Sequence, residues 1–371
     1  MPIAKQTIIQ ALETVAPPNY AEEWDNVGLQ LGSYAGKVGG VLLTLDTTLR
    51  AVQAAEQLGC ELIISHHPLI FRPLKSLRTD WPQGQVLAEL LKAGTTVYAA
   101  HTNWDNASRG TSWQLAEHLG LKESEILKVT GRTKTFKLVV YLPATHLEAV
   151  TAAMVQAGAG KIGQYSHCSF RSLGVGTFVP ASAASPFVGK VGQLEQVEEV
   201  RLEMPVGEDN LKKVVSAMRR AHPYEEVAFD VLPVHEGGEA YGSGRIGRLD
   251  QVVPWPDFAA RIEGLFPGAR YTGAIPERVR KVAVCGGSGG SLIGTASWRG
   301  AEVLITGDVT HHQVLEAEAL GLALVDAGHY ATEALILPAW ESLLRNLAEG
   351  LGEDLKIAVY RPEQAARLTI E

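Results

Sequence analysis

The chain carries one pattern twice, and that pattern limits what it can fold into more than any other feature. Leu62-Ile63-Ile64-Ser65 is a short β-rich run that leads directly into His66-His67, and Pro68 stops the strand just after them. Side chains alternate along a strand and the chain turns at its end, so two neighbouring imidazoles can diverge toward separate points of one cleft. A second β-rich run, Val303-Leu304-Ile305-Thr306-Gly307-Asp308, leads to His311-His312. The match extends upstream, where residues 55–64 align with 296–305. It also extends downstream, where Gly94 to His101 aligns with Gly321 to His329 across a one-residue gap. Each downstream strand delivers one more histidine and, four residues on, a carboxylate: His101 with Asp105, His329 with Glu333. A repeat of this length implies two similar α/β units facing one another. The four-residue step places His329 and Glu333 on one face of any helix that begins there.

Composition sets the outer limits. A chain of 371 residues has room for two or three domains, each with an ordinary core. Its apolar fraction of 46% is that of a globular protein, and no apolar run reaches the length of about eighteen residues that a membrane helix needs. The first seventeen residues lack the basic-then-apolar order of a signal peptide. Cys60, Cys168 and Cys285 are scattered and make neither a disulfide framework nor a CxxC zinc site, which fits a reducing cytoplasm. A net charge of −8 without a basic stripe argues against nucleic acid as the main partner and leaves nucleotides open.

Taken in order, Ile3, Ile8, Ile9, Leu12 and Val15 predict an amphipathic helix that ends at Pro17-Pro18. Glu22 to Gln30 reads as a polar turn, either a surface loop with a half-buried Trp24 or a wall of the metal cleft. A buried strand over Gly40–Leu45, an N-cap run at Asp46-Thr47-Thr48 and a helix from Leu49 to Leu58 with Gly59 as its stop come next. Residues 72–84 read as a loop, followed by helices over Gln85–Lys92 and Ser112–Leu119. Strands alternating with helices predict α/β layers around a largely parallel sheet.

The texture changes near Lys134. Strand, helix, strand, strand, helix and strand follow over roughly a hundred residues, the order of a ferredoxin-like split βαβ domain. This segment separates the two repeats. It is therefore expected as an inserted α+β domain over 134–242, between core halves 1–133 and 243–371, with Gly242-Ser243-Gly244 as the return linker. Its histidines, His146, His167, His222 and His235, stand alone and read as structural. Beyond it, the strand Lys281–Cys285 runs into Gly286-Gly287-Ser288-Gly289-Gly290-Ser291 and then a helix over Leu292–Trp298. Backbone N–H groups at a helix start make a ready anion site, so Ser288, Gly289 and Ser291 are a candidate phosphate loop. The motif is neither GxGxxG nor GxxxxGK[ST], and a bare tight turn explains it as well. A helix over 334–347 and a strand over Lys356–Tyr360 are expected at the end.

The motifs WDNVGLQLG, ISHHP, AAHTNWD, CGGSGGS, ITGDVTHH and DAGHYATE, in this order, closely resemble those of the Nif-three-like family, whose members are often catalogued as GTP cyclohydrolase 1 type 2 homologues. The resemblance covers nearly the whole chain. The central GKIGQYSHCSF and AHPYEEVAFDVLPV look like the insert of the longer bacterial members, similar to the PII and CutA signalling fold. What the resemblance implies is a dinuclear divalent-metal core and a toroidal homohexamer. It implies His66 and Asp105 as ligands of one metal, His67 and His329 of the other, and Glu333 as the bridge. Residue types alone do not choose these five over His101, His311 and His312. Those three, with Asp308, are expected in the cleft wall, where they orient ligands or transfer protons. Mixed nitrogen and oxygen ligation suits zinc, iron or manganese. Paired ions about 3.5–4 Å apart are typical of hydrolases, so the expected function is metal-dependent hydrolysis of a small phosphorylated or nucleotide-like substrate. The reading from another class is a non-catalytic metal-binding regulatory or chaperone-like protein whose inserted domain senses a ligand.

Overall fold

Apolar runs alternating with capped helices build the first sheet. The computed structural model describes residues 2–235 and 237–362. Strand β1 (Ile3–Ala4), helix α1 (Lys5–Val15), β2 (Gly28–Leu31) and β3 (Lys37–Val38) precede β4 (Gly40–Thr44), whose five residues are all buried. Helix α2 (Leu49–Leu58) opens with the Thr48 side chain accepting from the Ala51 N–H and stops at Gly59, which takes a left-handed φ of 65°. Strand β5 (Leu62–Ser65), α3 (Pro82–Ala93), β6 (Thr96–Ala99), α4 (Thr102–Asn106), α5 (Thr111–His118) and β7 (Lys122–Arg132) complete the first segment. Strands β4, β5 and β6 run parallel, and β2 lies antiparallel on the β6 edge.

The chain divides into two compact units, one joining the segment that ends at Gly131 to the segment that begins at Tyr241, the other spanning Arg132–Ala240. The second unit contains β8 (Thr135–Leu142), α6 (Leu147–Gln156), β9 (Phe170–Phe178), β10 (Glu195–Gly207), α7 (Glu208–Ala221) and β11 (Phe229–Val234). Its four strands form an antiparallel sheet in the order β11-β8-β10-β9. Leu138, Val140 and Leu142, alternate residues of one strand, share a core with Val150 and Met154 of α6 and Val214 and Met218 of α7.

The first unit resumes in β12 (Ala240–Pro254), α8 (Trp255–Leu265), β13 (Arg270–Gly273), β14 (Arg278–Ser288), α9 (Ile293–Trp298), β15 (Val303–Gly307), α10 (His311–Ala319), β16 (Ala323–Asp326), α11 (His329–Glu333), α12 (Ile336–Leu351) and β17 (Lys356–Val359). Strands β12 to β16 together with β7 form a six-stranded sheet in the order β13-β16-β15-β14-β12-β7, with β14, β15 and β16 parallel. The repeat is visible in the register. Val41 pairs with Leu62 in the first sheet and Val282 with Val303 in the second, a separation of 21 residues in each. The two halves are interlocked by the last helix. Ile336, Leu337, Trp340 and Leu344 of α12 leave the second half and pack on Ile8, Ile9 and Leu12 of α1 and on Leu43 and Ile64 of the first sheet, while β17 adds to the β4 edge. Among the described residues, no helix is long and apolar enough to cross a membrane.

Several details differ from the sequence reading. Gly242-Ser243-Gly244, expected as a flexible linker, lies inside the long strand β12. A Cβ at Gly242 would fall 2.1 Å from the Lys128 carbonyl oxygen, so this glycine permits close approach of two backbones. Ile3 belongs to β1, outside α1, and α3 begins at Pro82, three residues before the expected start. Strands β7, β12 and β13 and helix α8 were not anticipated. In β7 only one residue is buried, so it carries no apolar run to read.

Gly131 and Tyr241 lie side by side where the two units join, a Cβ on Gly131 being 2.3 Å from the Tyr241 hydroxyl. Replacing residues 132–240 by a short flexible linker should therefore leave a folded first unit. Circular dichroism of that variant should show cooperative melting, and aggregation or a non-cooperative melt would show that the first unit depends on the second.

Candidate metal centre

Parallel sheets place functional groups at the carboxyl ends of their strands, and here both sheets contribute to one cluster. His66 and His67 follow β5, and His101 follows β6 and leads into α4, which carries Asp105. His329 and Glu333 sit four residues apart on α11, with His329 Nε2 3.1 Å from Glu333 Oε1. Each imidazole is held through Nδ1. His66, with no exposed surface, places Nδ1 2.8 Å from the Ala100 carbonyl oxygen and must donate to it. His67 Nδ1 lies 2.8 Å from Asp46 Oδ1, and His329 Nδ1 lies 2.6 Å from Asp308 Oδ2. His101 Nδ1 lies 2.9 Å from both oxygens of Asp25, which the Thr102 N–H and hydroxyl also reach. With a proton on Nδ1, the Nε2 lone pair is free in the neutral ring.

The Nε2 atoms converge on two carboxylates. Glu333 places Oε2 3.0 Å from His67 Nε2 and Oε1 3.6 Å from His66 Nε2, and its side chain is only 4% exposed. Asp105 Oδ1 lies 3.6 Å from His66 Nε2 and accepts from the Thr111 hydroxyl. Ligand atoms of His66, His67 and His101 lie within 4.8 Å of one another, as do those of His67, His329 and Glu333. These groups can hold a metal ion. Three observations fit one. The donor set is nitrogen and carboxylate oxygen, His66 Nε2 is buried without a hydrogen-bond partner, and the backbone leaves room around Glu333. An unpaired buried polar atom costs about 1–3 kcal/mol, which a bound cation would offset. Gly287, at φ 63°, runs so close to Glu333 that a Cβ there would sit 2.1 Å from Oε1.

The electrostatics agree with a cation-binding cluster. Burial works against charge on His67, but hydrogen bonds to Asp46 and Glu333 outweigh it and push the ring up to about 10. The hydrogen bond to Glu333 is the main cause that lifts His329 to about 9, against the effect of burial. His66 is also raised, because Asp105 and Glu333 together overcome its complete burial. Burial alone would raise Glu333, yet His66, His329 and His67 hold it far below the usual carboxylate range. Asp105 is raised, chiefly by burial. Burial, with Asp105 and Glu333 nearby, pushes the Cys285 thiol up to about 12. A cavity of about 450 Å³ opens beside His67, lined by Asp46, Thr47, Leu49, Leu69, Pro82 and Gln83 among others.

The structure brings His66, His67, Asp105, His329 and Glu333 together and sets Asp308 against His329. It also brings His101 within ligand range, closer than the cleft wall expected for it. It does not bring His311 and His312. Both are exposed at the start of α10, their rings 5.7 Å apart. Ser65 pairs with Ala99 and Thr306 with Asp326, so the positions matching His66 and His67 in the second half are Gly307 and Asp308. Gly307 has to lack a side chain, since a Cβ would lie 2.5 Å from the His329 nitrogen. The candidate phosphate loop also differs. The N–H of Gly287 donates to Thr332 Oγ1 (3.0 Å), that of Gly289 to Thr306 Oγ1 (2.7 Å) and that of Leu292 to the Gly289 carbonyl (3.0 Å), so these donors are already used. Ser288 and Ser291 are exposed, and the Gly287 N–H ties the loop to α11, which carries Glu333. Asp25 and Asp46 were missed. Asp46 follows β4 much as His66 follows β5, which is the signal that finds it. Asp326 braces the second half, accepting from Arg270 (2.5 Å) and from the N–H groups of Val309 and Gly328.

The Duf34/NIF3 (NGG1p interacting factor 3) family profile matches residues 3–365. A protein of Halalkalibacterium halodurans named GTP cyclohydrolase 1 type 2 homolog is 44% identical over 326 residues, which is 87% of this chain and 88% of the relative. One of the same name from Bacillus subtilis is 44% identical over 332 residues, 89% of each. The crystal structure of a Bacillus cereus protein related to NIF3 superposes with a TM-score of 0.90 at 42% identity, covering 95% of each chain.

Without metal, His67 and His329 hold protons at pH 7, because their folded values of about 10 and 9 exceed the ordinary 6.5. Metal binding requires Nε2 unprotonated, so uptake at pH 7 should release protons and affinity should rise with pH toward 9. Their pairing stabilises the metal-free fold fully below the ordinary value and is lost as pH climbs through about 9–10. Titrating zinc into weakly buffered protein checks this, and pH-independent uptake without acidification would contradict it. Gly287→Ala should leave the fold intact and weaken metal binding by about 10–100-fold, as changes behind a ligand typically do. Equilibrium dialysis against zinc measures that loss, and unchanged affinity would mean that Gly287 does not shape the site.

Proposed function

The chain belongs to the Duf34/NIF3 family, and on that premise we propose that it is a dinuclear divalent-metal hydrolase acting on a small phosphorylated, nucleotide-like substrate. One observation carries this reading. Four imidazoles, each fixed through Nδ1 to a carbonyl or carboxylate, gather at the buried Glu333 and the half-buried Asp105, and one of their nitrogens is left without a partner. Such second contacts fix ring orientation and raise ligand basicity. In our assignment His66 and Asp105 would hold one ion and His67 and His329 the other, with Glu333, which reaches all three of these histidines, available to both. Divalent ions bound there would supply Lewis acidity, the chemistry that activates water and neutralises charge on phosphoryl oxygens. Zinc, iron and manganese all suit this donor set.

The chain's own groups do the rest. The hydrogen bond from His101 Nδ1 to Asp25 leaves its Nε2 to take a proton from the attacking water and return it to the leaving group. The cavity beside His67 removes the substrate's reacting end from bulk solvent. The relatives' name points to water addition at a guanine nucleotide, a reaction within this chemistry. We further propose that Arg132–Ala240 is a ferredoxin-like insert, on the grounds of its strand order, and that copies assemble as a toroidal homohexamer. Exposed apolar residues such as Leu173 and Trp298 offer surface for such contacts. A cytoplasmic setting and small-molecule chemistry, without membrane or nucleic-acid partners, complete the reading.

A cavity of about 680 Å³ in the second unit, lined by Leu173, Val175, Phe187 and Tyr224 among others, favours the other class, a metal-binding regulator whose insert senses a ligand. Turnover on a panel of phosphoesters and nucleotides, with zinc, iron and manganese exchanged, separates the two. The hydrolase reading expects activity with at least one metal and its abolition in His329→Ala, in a protein that remains folded. No turnover with any metal, together with ligand binding that requires residues 132–240, would replace it with the sensor.

A further inference from the structure

We propose that Trp24 and Phe71 form an aromatic shelf at the mouth of the metal centre that takes the planar heteroaromatic ring of the substrate. The inference rests on the hydrolase reading and names the part of the substrate that the shelf recognises. Trp24 is 61% exposed and Phe71 45%, and neither belongs to a hydrophobic core. They come from separate loops, yet their ring centres are 5.9 Å apart at 62°. Trp24 also meets His101, at 6.2 Å and 75°. Both contacts are edge-to-face, which leaves the indole without a stacked partner. His101 is within ligand range of His66 and His67, so the shelf begins one ring away from the metal cluster.

The shelf is held in place before any ligand arrives. Asn26 Nδ2 donates to the Ile70 carbonyl, the Ile70 N–H donates to Gln30 Oε1 (3.1 Å), and Gln30 Nε2 donates to the Asn26 carbonyl (2.8 Å). Asp25, next to Trp24, is fixed by His101 and Thr102. These bonds lock the two loops to one another, so ordering them costs little on binding. Every base or related ring has a π-face to stack, and such stacking tolerates different ring substituents. Arg72 and Lys75 follow Phe71 in an exposed stretch and have no ion-pair partner among the described residues, which suits a ring that carries phosphate. A buried network of donors and acceptors would select one base. This shelf selects planarity.

The test compares guanosine monophosphate with ribose 5-phosphate, which lacks the ring, by calorimetry on the purified zinc-loaded protein. Wild type should prefer the nucleotide. In Trp24→Ala that preference should fall by about tenfold or more, the usual scale of a lost stacking contact, while Trp24→Phe retains most of it and metal content stays unchanged. Phe71→Ala provides a second variant should Trp24→Ala fold poorly, with a smaller loss in the same direction. A wild type without ring preference, or variants that keep it in full, would overturn the shelf. A changed oligomeric state with intact preference would also overturn it, assigning Trp24 to a contact between copies. Ring preference lost in Trp24→Ala, in a protein that hydrolyses nothing, would keep the shelf and reject the hydrolase.

Discussion

A carboxylate sealed from water needs positive charge around it, and the arrangement of the first unit follows from meeting that need at Glu333. Its oxygens lie 3.0–3.6 Å from nitrogens of His66, His67 and His329, two residues from the first half of the chain and one from the second. Removing a carboxylate from water is expensive unless it is paired, so the halves are held at a spacing that lets both reach it. Helix α12 achieves this by carrying the chain from the end of α11 into the core of the first sheet, where Trp340 is fully buried. The site therefore rests on ordinary apolar packing, with the Trp340 ring centre 6.3 Å from that of His66.

The repeat did not give a symmetric site. Both halves use three parallel strands with the same register, but they spend their strand ends differently. The first half ends β5 with two imidazoles, whereas the second ends β15 with Gly307 and Asp308, a gap and a carboxylate. The gap lets the backbone of His329 pass, and the carboxylate orients its ring. One half thus supplies two imidazoles on a strand end, and the other supplies a helix turn carrying His329 and Glu333, with its support.

Much of this was legible in the sequence, for definite reasons. His66-His67 between a buried strand and a proline, and the four-residue step from His329 to Glu333, are local patterns whose geometry is fixed by strand and helix periods. Asp25 and Asp46 were hidden because a single acid in a polar stretch has no period, and its partner lies 76 or 21 residues away. His311-His312 misled because a second adjacent pair of histidines drew the match, although the ungapped alignment of 55–64 with 296–305 and the strand register both place Gly307 and Asp308 in the matching positions. Glycine misled at Gly242-Ser243-Gly244, which reads as a linker, yet there a glycine lets the backbone pass a neighbouring atom too closely for a side chain. Close approach is a property of two segments, and one segment's sequence does not record it.

The central claim is that one carboxylate is shared by two ions. X-ray diffraction from crystals of the metal-loaded protein, with anomalous data at the edge of the bound element, tests it directly. The account predicts two anomalous peaks per chain about 3.5–4 Å apart, both within bonding distance of Glu333. A single peak, or two peaks of which only one contacts Glu333, would contradict it.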